Sequence, residues 1–248
     1  MHQKLSSTNL LLLCFLFPAF SSAADYQLLE TRNYPKNLFT QGLVTDSEFL
    51  YISSGLYGKS KILKRDLTSG EIQISQKLPR KIFAEGITLL GDKLYLLSWK
   101  AGRAWQLDKE TLTFEQQFKI SGEGWGITHN GENLITSDGS NTLYFRNTDD
   151  LSVEYELLVT QQGNPVYNLN ELEFVDGKIW ANIWKQTRII AIDPSNGEVT
   201  KEIDLHDLVN PHHNTRKGNV LNGIAWDKQQ QAFWITGKRW PEMYLMRP

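Results

Sequence analysis

The stretch FAEGIT, Phe83 to Thr88, sets a carboxylate, Glu85, between an apolar pair and a glycine, where a buried β-strand would begin. Four other stretches have the same form and carry Gln41 in QGL, Trp125 in WGIT, Asn170 in NEL and Asn222 in NGI at the equivalent place. Fourteen residues beyond these starts, or sixteen in the last copy, stand Gly55, Trp99, Gly139, Trp184 and Lys238. Brought together, the two sets make an apolar pocket with indole walls, two glycines, Gly55 and Gly139, that leave room for a ligand, several amides, one carboxylate and one amine, which is the composition of a small-ligand site. A lone carboxylate at such a mouth, with an amine in the same set, reads as a functional candidate. A channel that merely holds water is also lined by polar groups, but it has no use for three tryptophans and a lysine.

Other chemistry-bearing residues converge less. His212 and His213 in LVNPHHNTRKGN stand in a polar loop of the kind that can bind zinc, yet no third ligand has suitable spacing, so they read as a solvated loop. His129 in ITHNGEN reads as a turn residue. Glu171 and Glu173 in NELE lie one strand step from Asn170 and either reach a channel or cap the strand. There is no Ser/His/Asp order, no phosphate loop and no cysteine nucleophile.

The elements that must position these residues are short and alternate apolar with polar, as in EFLYISS, KLYLLSW, KIWANIW and AFWITG. Turn chemistry separates them in LTSGE, LGDK, HNGEN and DPSNGE, so the chain is all-β. QGLVTDSEFLYISSG, EGITLLGDKLYLLSW, WGITHNGENLITSDG, NELEFVDGKIWANIW and NGIAWDKQQQAFWITGK are variants of one hairpin. They recur at intervals of roughly 40 to 50 residues, the period of a four-stranded propeller blade. Every copy but the last is followed by two more strands, and the last stops one strand short after MYLMRP. DYQLLETRNY belongs to no other copy and supplies the missing strand. The sequence therefore predicts a single five-bladed β-propeller over residues 25–248, its last blade closed by the N-terminal strand, with no linker and no open sheet edge. The first strand of each blade lines the channel of such a fold, which brings both residue sets to one mouth.

Residues 1–24 read as a signal peptide: Lys4 in a short polar start, an apolar run from Leu10 to Phe20, then Ser22, Ala23 and Ala24. The run is about half a membrane span and is interrupted by Pro18, which disfavours an uncleaved anchor. The one cysteine, Cys14, lies inside it, so the exported chain has neither thiol nor disulfide and depends on its core for stability. Export to the periplasm or secretion from a bacterium is expected, with no membrane attachment after cleavage. The formal charge of −2 and the absence of a basic stripe make nucleic acid an unexpected partner, and the closed ring is expected to be a monomer.

The motifs FTQGL, FAEGIT, LLSW, GEGWGIT, NELEFVDGKIWANIW, LNGIAWD and FWITGKRWPEMYLM, in this order across the mature chain, resemble the plant-type glutaminyl-peptide cyclotransferases, which also occur in bacteria. That family is five-bladed, converts an N-terminal glutamine to pyroglutamate with release of ammonia, and lacks the catalytic zinc of the animal-type enzymes. The resemblance implies an active site at Phe39, Gln41, Phe83, Glu85, Trp99, Trp125, Asn170, Trp184 and Lys238, no metal or other cofactor, and substrates that are peptides or proteins beginning with glutamine.

That chemistry needs walls that fold the flexible glutamine toward its own amine, a role suited to Phe39, Phe83, Trp99, Trp125 and Trp184. It also needs one group that takes a proton from the attacking amine and returns it to the departing nitrogen, which falls to Glu85, the only carboxylate at the ring positions. Lys238, Gln41 and Asn170 are the candidate donors for the substrate carbonyls and the oxyanion, with the division among them open, and at Glu85 aromatic surroundings raise the pKa while Lys238 lowers it. Two rival readings stand beside this one: a calcium-dependent propeller lactonase, whose ligand set Glu85, Asn170 and Asn222 imitate, and a propeller that binds peptides without reacting.

Overall fold

The computed structural model describes residues 25–209, 212 and 217–248. The expected leader, its Cys14 and His213 lie outside the described residues. Period-two segments joined by tight turns give five antiparallel four-stranded sheets, the five blades expected. The first blade runs through Thr40–Thr45, Phe49–Ser54, Lys61–Asp66 and Ile72–Lys77. The second uses Ala84–Leu90, Lys93–Ser98, Arg103–Asp108 and Phe114–Lys119, and the third uses Ile127–His129, Leu134–Ser137, Thr142–Arg146 and Val153–Leu158. The fourth runs through Leu169–Val175, Lys178–Ile183, Arg188–Ile192 and Val199–Asp204. The fifth takes Leu221–Asp227, Ala232–Gly237 and Glu242–Arg247 from the C-terminus and Gln27–Asn33 from the N-terminus, paired antiparallel from Gln27 opposite Arg247 to Asn33 opposite Glu242 with a register shift between Leu28 and Glu30. Outside the blades, the segment from Thr160 to Pro165 forms a small hairpin and His206–Val209 a single helical turn.

The core is divided among the blade interfaces, because a twisted sheet in a ring buries both faces against its neighbours. Leu43, Ile52, Trp234 and Leu245 pack the first blade against the fifth, and Tyr95, Phe118, Ile127 and Leu134 pack the second against the third. The second strand of each blade is accordingly buried almost throughout, as in KLYLLS, while outer strands such as Val153–Leu158 stay largely exposed.

Two features of the innermost strands aim the ring residues. Pairing with the second strand breaks register between Thr40 and Gly42, Ala84 and Ile87, Leu169 and Leu172, and Leu221 and Ile224, so Gln41, Glu85, Asn170 and Asn222 each sit in a β-bulge. A bulge bends the strand and redirects its side chains, here toward the axis. Glycine follows the ring residue in four blades because the strands crowd there, and a Cβ on Gly126 would fall 1.9 Å from the carbonyl oxygen of Asn170. The fourth blade carries Glu171 at this place instead. Its two carboxylate oxygens accept the backbone N–H of Leu43 and of Ile224, at 3.2 and 3.0 Å, and so tie together three blades.

Candidate active site

Gln41, Glu85, Trp125 and Asn170 from the innermost strands, with Trp99, Trp184 and Lys238 from the ends of the second strands, surround one cavity of about 280 Å3 at one mouth of the channel. Phe39 and Phe83, two residues before Gln41 and Glu85, complete the walls. All nine residues expected from the sequence thus meet at a single cavity. The walls are edge-to-face contacts: Trp125 on Trp184 at 5.6 Å between centroids, Phe83 on Trp99 at 5.5 Å and Phe39 on Phe83 at 6.3 Å. Such pairs hold each other's orientation and add to the area they bury.

Three expectations are corrected. Gly55 and Gly139 do not open space for a ligand; they admit the walls themselves, since a Cβ on Gly139 would sit 2.7 Å from the indole of Trp125, and one on Gly55 would strike Phe83. Asn222 does not reach the cavity. It is fully buried, accepts from Asn170 at 2.6 Å and donates to the carbonyls of Thr40 and Gln41 at 3.1 and 2.9 Å. With both amide ends of Asn222 engaged and the Lys238 ammonium lining the cavity, the oxygen set that resembled a calcium lactonase is dismantled. His212 is not a solvated loop residue, for it lies half-buried, 2.7 Å from the Tyr244 hydroxyl and 3.0 Å from Glu242.

The remaining carboxylates are placed elsewhere. Glu173 accepts the backbone N–H of Trp226 at 3.0 Å and, with His129, lines the opposite mouth. Among the described residues no three His, Cys, Asp or Glu side chains gather as a metal-binding group.

Glu85 is 5% exposed, and burial drives its carboxyl well above the ordinary range; Lys238 opposes this and Glu123 adds to it. Desolvation thus wins the contest that the sequence left open. Burial in turn pulls the Lys238 ammonium down to about 8, with Glu85 opposing. Both groups are therefore tuned toward neutrality, where a group can both take and return a proton. The Gln41 side-chain amide donates to Oε1 of Glu85 at 3.1 Å, and its own Oε1 is buried without a partner. Ser53 donates to the Glu85 carbonyl, fixing the backbone beneath the carboxyl.

Glu123 was not singled out in the sequence. Its Oε2 accepts the indole N–H of Trp99 at 2.6 Å and of Trp125 at 2.9 Å, and its Oε1 lies 3.2 Å from the Lys100 ammonium. Burial pushes the Glu123 carboxyl up, but the hydrogen bonds from Trp125, Trp99 and Lys100 outweigh it and hold the group below its usual value. The available signal was chemical, since two indoles brought to one wall need an acceptor and Glu123 stands two residues before Trp125. Leu56, at a φ of 97°, and Gly218 also border the cavity, and the exposed Tyr57 packs on Phe83 at 5.3 Å.

A family model described as glutamine cyclotransferase matches residues 12–247. A glutaminyl-peptide cyclotransferase of Arabidopsis thaliana is 37% identical over 215 residues, which cover 84% of this chain and 67% of that protein. The crystal structure of Myxococcus xanthus glutaminyl cyclase matches with a TM-score of 0.83 at 32% identity, over 90% of this chain and 95% of that one. Hydrazine synthase of Kuenenia stuttgartiensis, with a TM-score of 0.50 at 12% identity over 83% of this chain and 58% of that one, shares the fold alone.

Proposed function

Because the chain belongs to the glutamine cyclotransferase family, we propose that its mouth cavity closes the N-terminal glutamine of peptides or proteins to pyroglutamate, with Glu85 as the proton carrier and no metal. The observation that carries this reading is a single desolvated carboxyl and a single amine within one aromatic cavity.

The reactants are tethered, so orientation is the first requirement. Trp99, Trp125, Trp184, Phe39 and Phe83 press the glutamine side chain into the curled form in which its α-amine meets Cδ. The neutral amine forms the N–Cδ bond and passes a proton to the Glu85 carboxylate. Negative charge gathers on the amide oxygen, where the Lys238 ammonium and the second side-chain N–H of Asn170, the one not given to Asn222, stabilise it. Glu85 then returns the proton to the departing nitrogen, the Cδ–Nε2 bond breaks, and ammonia leaves. A terminal amine of pKa about 8 is mostly protonated near neutrality, so a carboxylate made more basic by burial eases the first transfer.

Gln41 fits both halves of this cycle. Its N–H end serves the Glu85 carboxylate, and rotation of the amide would turn the unpartnered Oε1 toward the acid form. The leader-like residues 1–24 and the remainder without cysteine support action in the periplasm or outside the cell, and a ring whose last blade is completed by the N-terminal strand, leaving only short edges, supports a monomer.

The test is incubation of the purified protein, after exhaustive chelation, with a short glutamine-initiated peptide. Loss of one ammonia from the peptide mass, with matching free ammonia, is expected. An intact peptide would defeat the reading, and activity that vanishes on chelation and returns with metal would defeat its metal-free form.

A further inference from the structure

The formal charge of −2 conceals a strongly polar distribution. The loops that follow the second and fourth strands of each blade open at the mouth with the cavity. They carry Lys59, Arg80, Lys81, Lys100, Lys185 and Arg239, all exposed. Among the described residues the carboxylates of these loops are Glu123, Asp138 and Asp207. The loops at the other mouth invert the balance, with Asp46, Glu48, Asp92, Glu132, Asp150 and Glu198 against Lys109 and Lys228. Alternation of strand direction within the blades sorts a balanced sequence into a cationic face and an anionic one.

The cations reach the rim of the cavity itself. The Lys185 ammonium stands 4.1 Å from the ring centroid of Trp184, Lys100 stands 4.2 Å from that of Trp99, and the Arg239 guanidinium stands 4.7 Å from that of Phe39. Each rests on a wall of the cavity and remains exposed to solvent. Lys100 is partnered by Glu123, whereas Lys185 and Arg239 face no carboxylate at ion-pair distance among the described residues.

When a peptide places its first residue among these walls, the chain beyond must cross the rim, since each further residue advances about 3.3 Å. We propose that the preferred substrates of this face are glutamine-initiated peptides with Asp or Glu at the positions just after the glutamine. The proposal rests on the cyclotransferase reading and adds to it a class of substrate. Cations stacked on aromatic rings are already ordered, so an acidic side chain gains partners without new ordering of the protein. The wider positive face raises the local concentration of anionic chains, an effect that salt removes.

Three C-terminally amidated peptides, Gln-Ala-Ala-Ala, Gln-Glu-Glu-Ala and Gln-Lys-Lys-Ala, are compared in turnover, and their pyroglutamyl products in direct binding, at about 0.02 M and about 0.5 M salt. At low salt kcat/KM and binding should both rank acidic over neutral over basic, with roughly tenfold between the first two, carried by KM, and the ranking should collapse at high salt. The exposed double variant Lys59→Glu/Lys81→Glu should lower the acidic preference severalfold while leaving turnover of the alanine peptide unchanged. Equal binding of the three products at low salt, or a ranking that salt does not alter, would overturn the proposal even if all three peptides are cyclised. Failure to cyclise any peptide would instead remove the reading on which it rests, and this one with it.

Discussion

Gln41 and Glu85, ring residues of adjacent blades, are joined side chain to side chain, with Nε2 of Gln41 donating to Oε1 of Glu85 at 3.1 Å. The bond crosses the seam between two blades and places a neutral donor on a carboxyl that burial already drives well above its ordinary range. Replacing Glu85 by Gln should keep fold and peptide binding and lower turnover roughly 10²-fold to 10⁴-fold. Ammonia release by the variant at near the original rate would remove Glu85 from the reaction.

Removal of the donor tests the same contact from the other side. A hydrogen bond to the charged form lowers a carboxyl pKa, so Gln41→Leu should raise that of Glu85 further and move the acid limb of the kcat profile to higher pH. An acid limb that stays in place would mean that the amide does not govern Glu85.

Lys238 sets the alkaline limb. Its ammonium, held at about 8, is lost as pH rises through that value, and turnover should fall with it. Lys238→Met should lower kcat roughly 10²-fold to 10³-fold, the usual effect of deleting one oxyanion donor. It should also move the acid limb upward, because the cation that restrains Glu85 is gone. A pH profile for the variant that keeps its fall near pH 8 would assign that limb to another group.

Glu123 holds two walls at once, so Glu123→Gln should loosen Trp99 and Trp125, raise KM severalfold and alter tryptophan fluorescence. Glu123 also raises the Glu85 pKa by its charge, so the variant should shift the acid limb to lower pH, opposite in sign to Lys238→Met. A raised KM without that pH shift would leave Glu123 a purely structural clamp.

Glu173 makes stability depend on pH. Burial raises its carboxyl to about 8, against about 4.3 for an unfolded glutamate. Between these values the folded chain keeps a proton that the unfolded chain has released, so its contribution to stability declines as pH rises from about 4.3 to about 8 and is level above. Glu173→Gln keeps an acceptor for the Trp226 N–H and should flatten the fall of Tm across this window. An unchanged slope would place the linkage elsewhere, first at Glu171, whose carboxyl burial also drives well above its ordinary range.

The blade count, the closing strand and the convergence of Gln41, Glu85, Trp125 and Asn170 with Trp99, Trp184 and Lys238 were all legible in the sequence. The reason is physical: a repeated hairpin with period-two alternation places equivalent residues at equivalent points around an axis, whatever packs between them. The opposed fates of Asn170 and Asn222 were not legible. Both occupy the same repeat position, and only the close approach of neighbouring innermost strands turns Asn222 into a buried tie while Asn170 keeps the cavity.

Glu123, Glu171 and Glu173 mark the same boundary. Their carboxylates find partners supplied by other strands and loops, and such contacts depend on crossing distances that no local pattern encodes. The sequence by itself determined the ring and the residues around its mouth, because periodicity alone decides equivalence. Only the tertiary structure decided that burial outweighs Lys238 at Glu85, because desolvation depends on everything that surrounds a charge, and that balanced charges part into opposite faces, because strand direction sorts the loops.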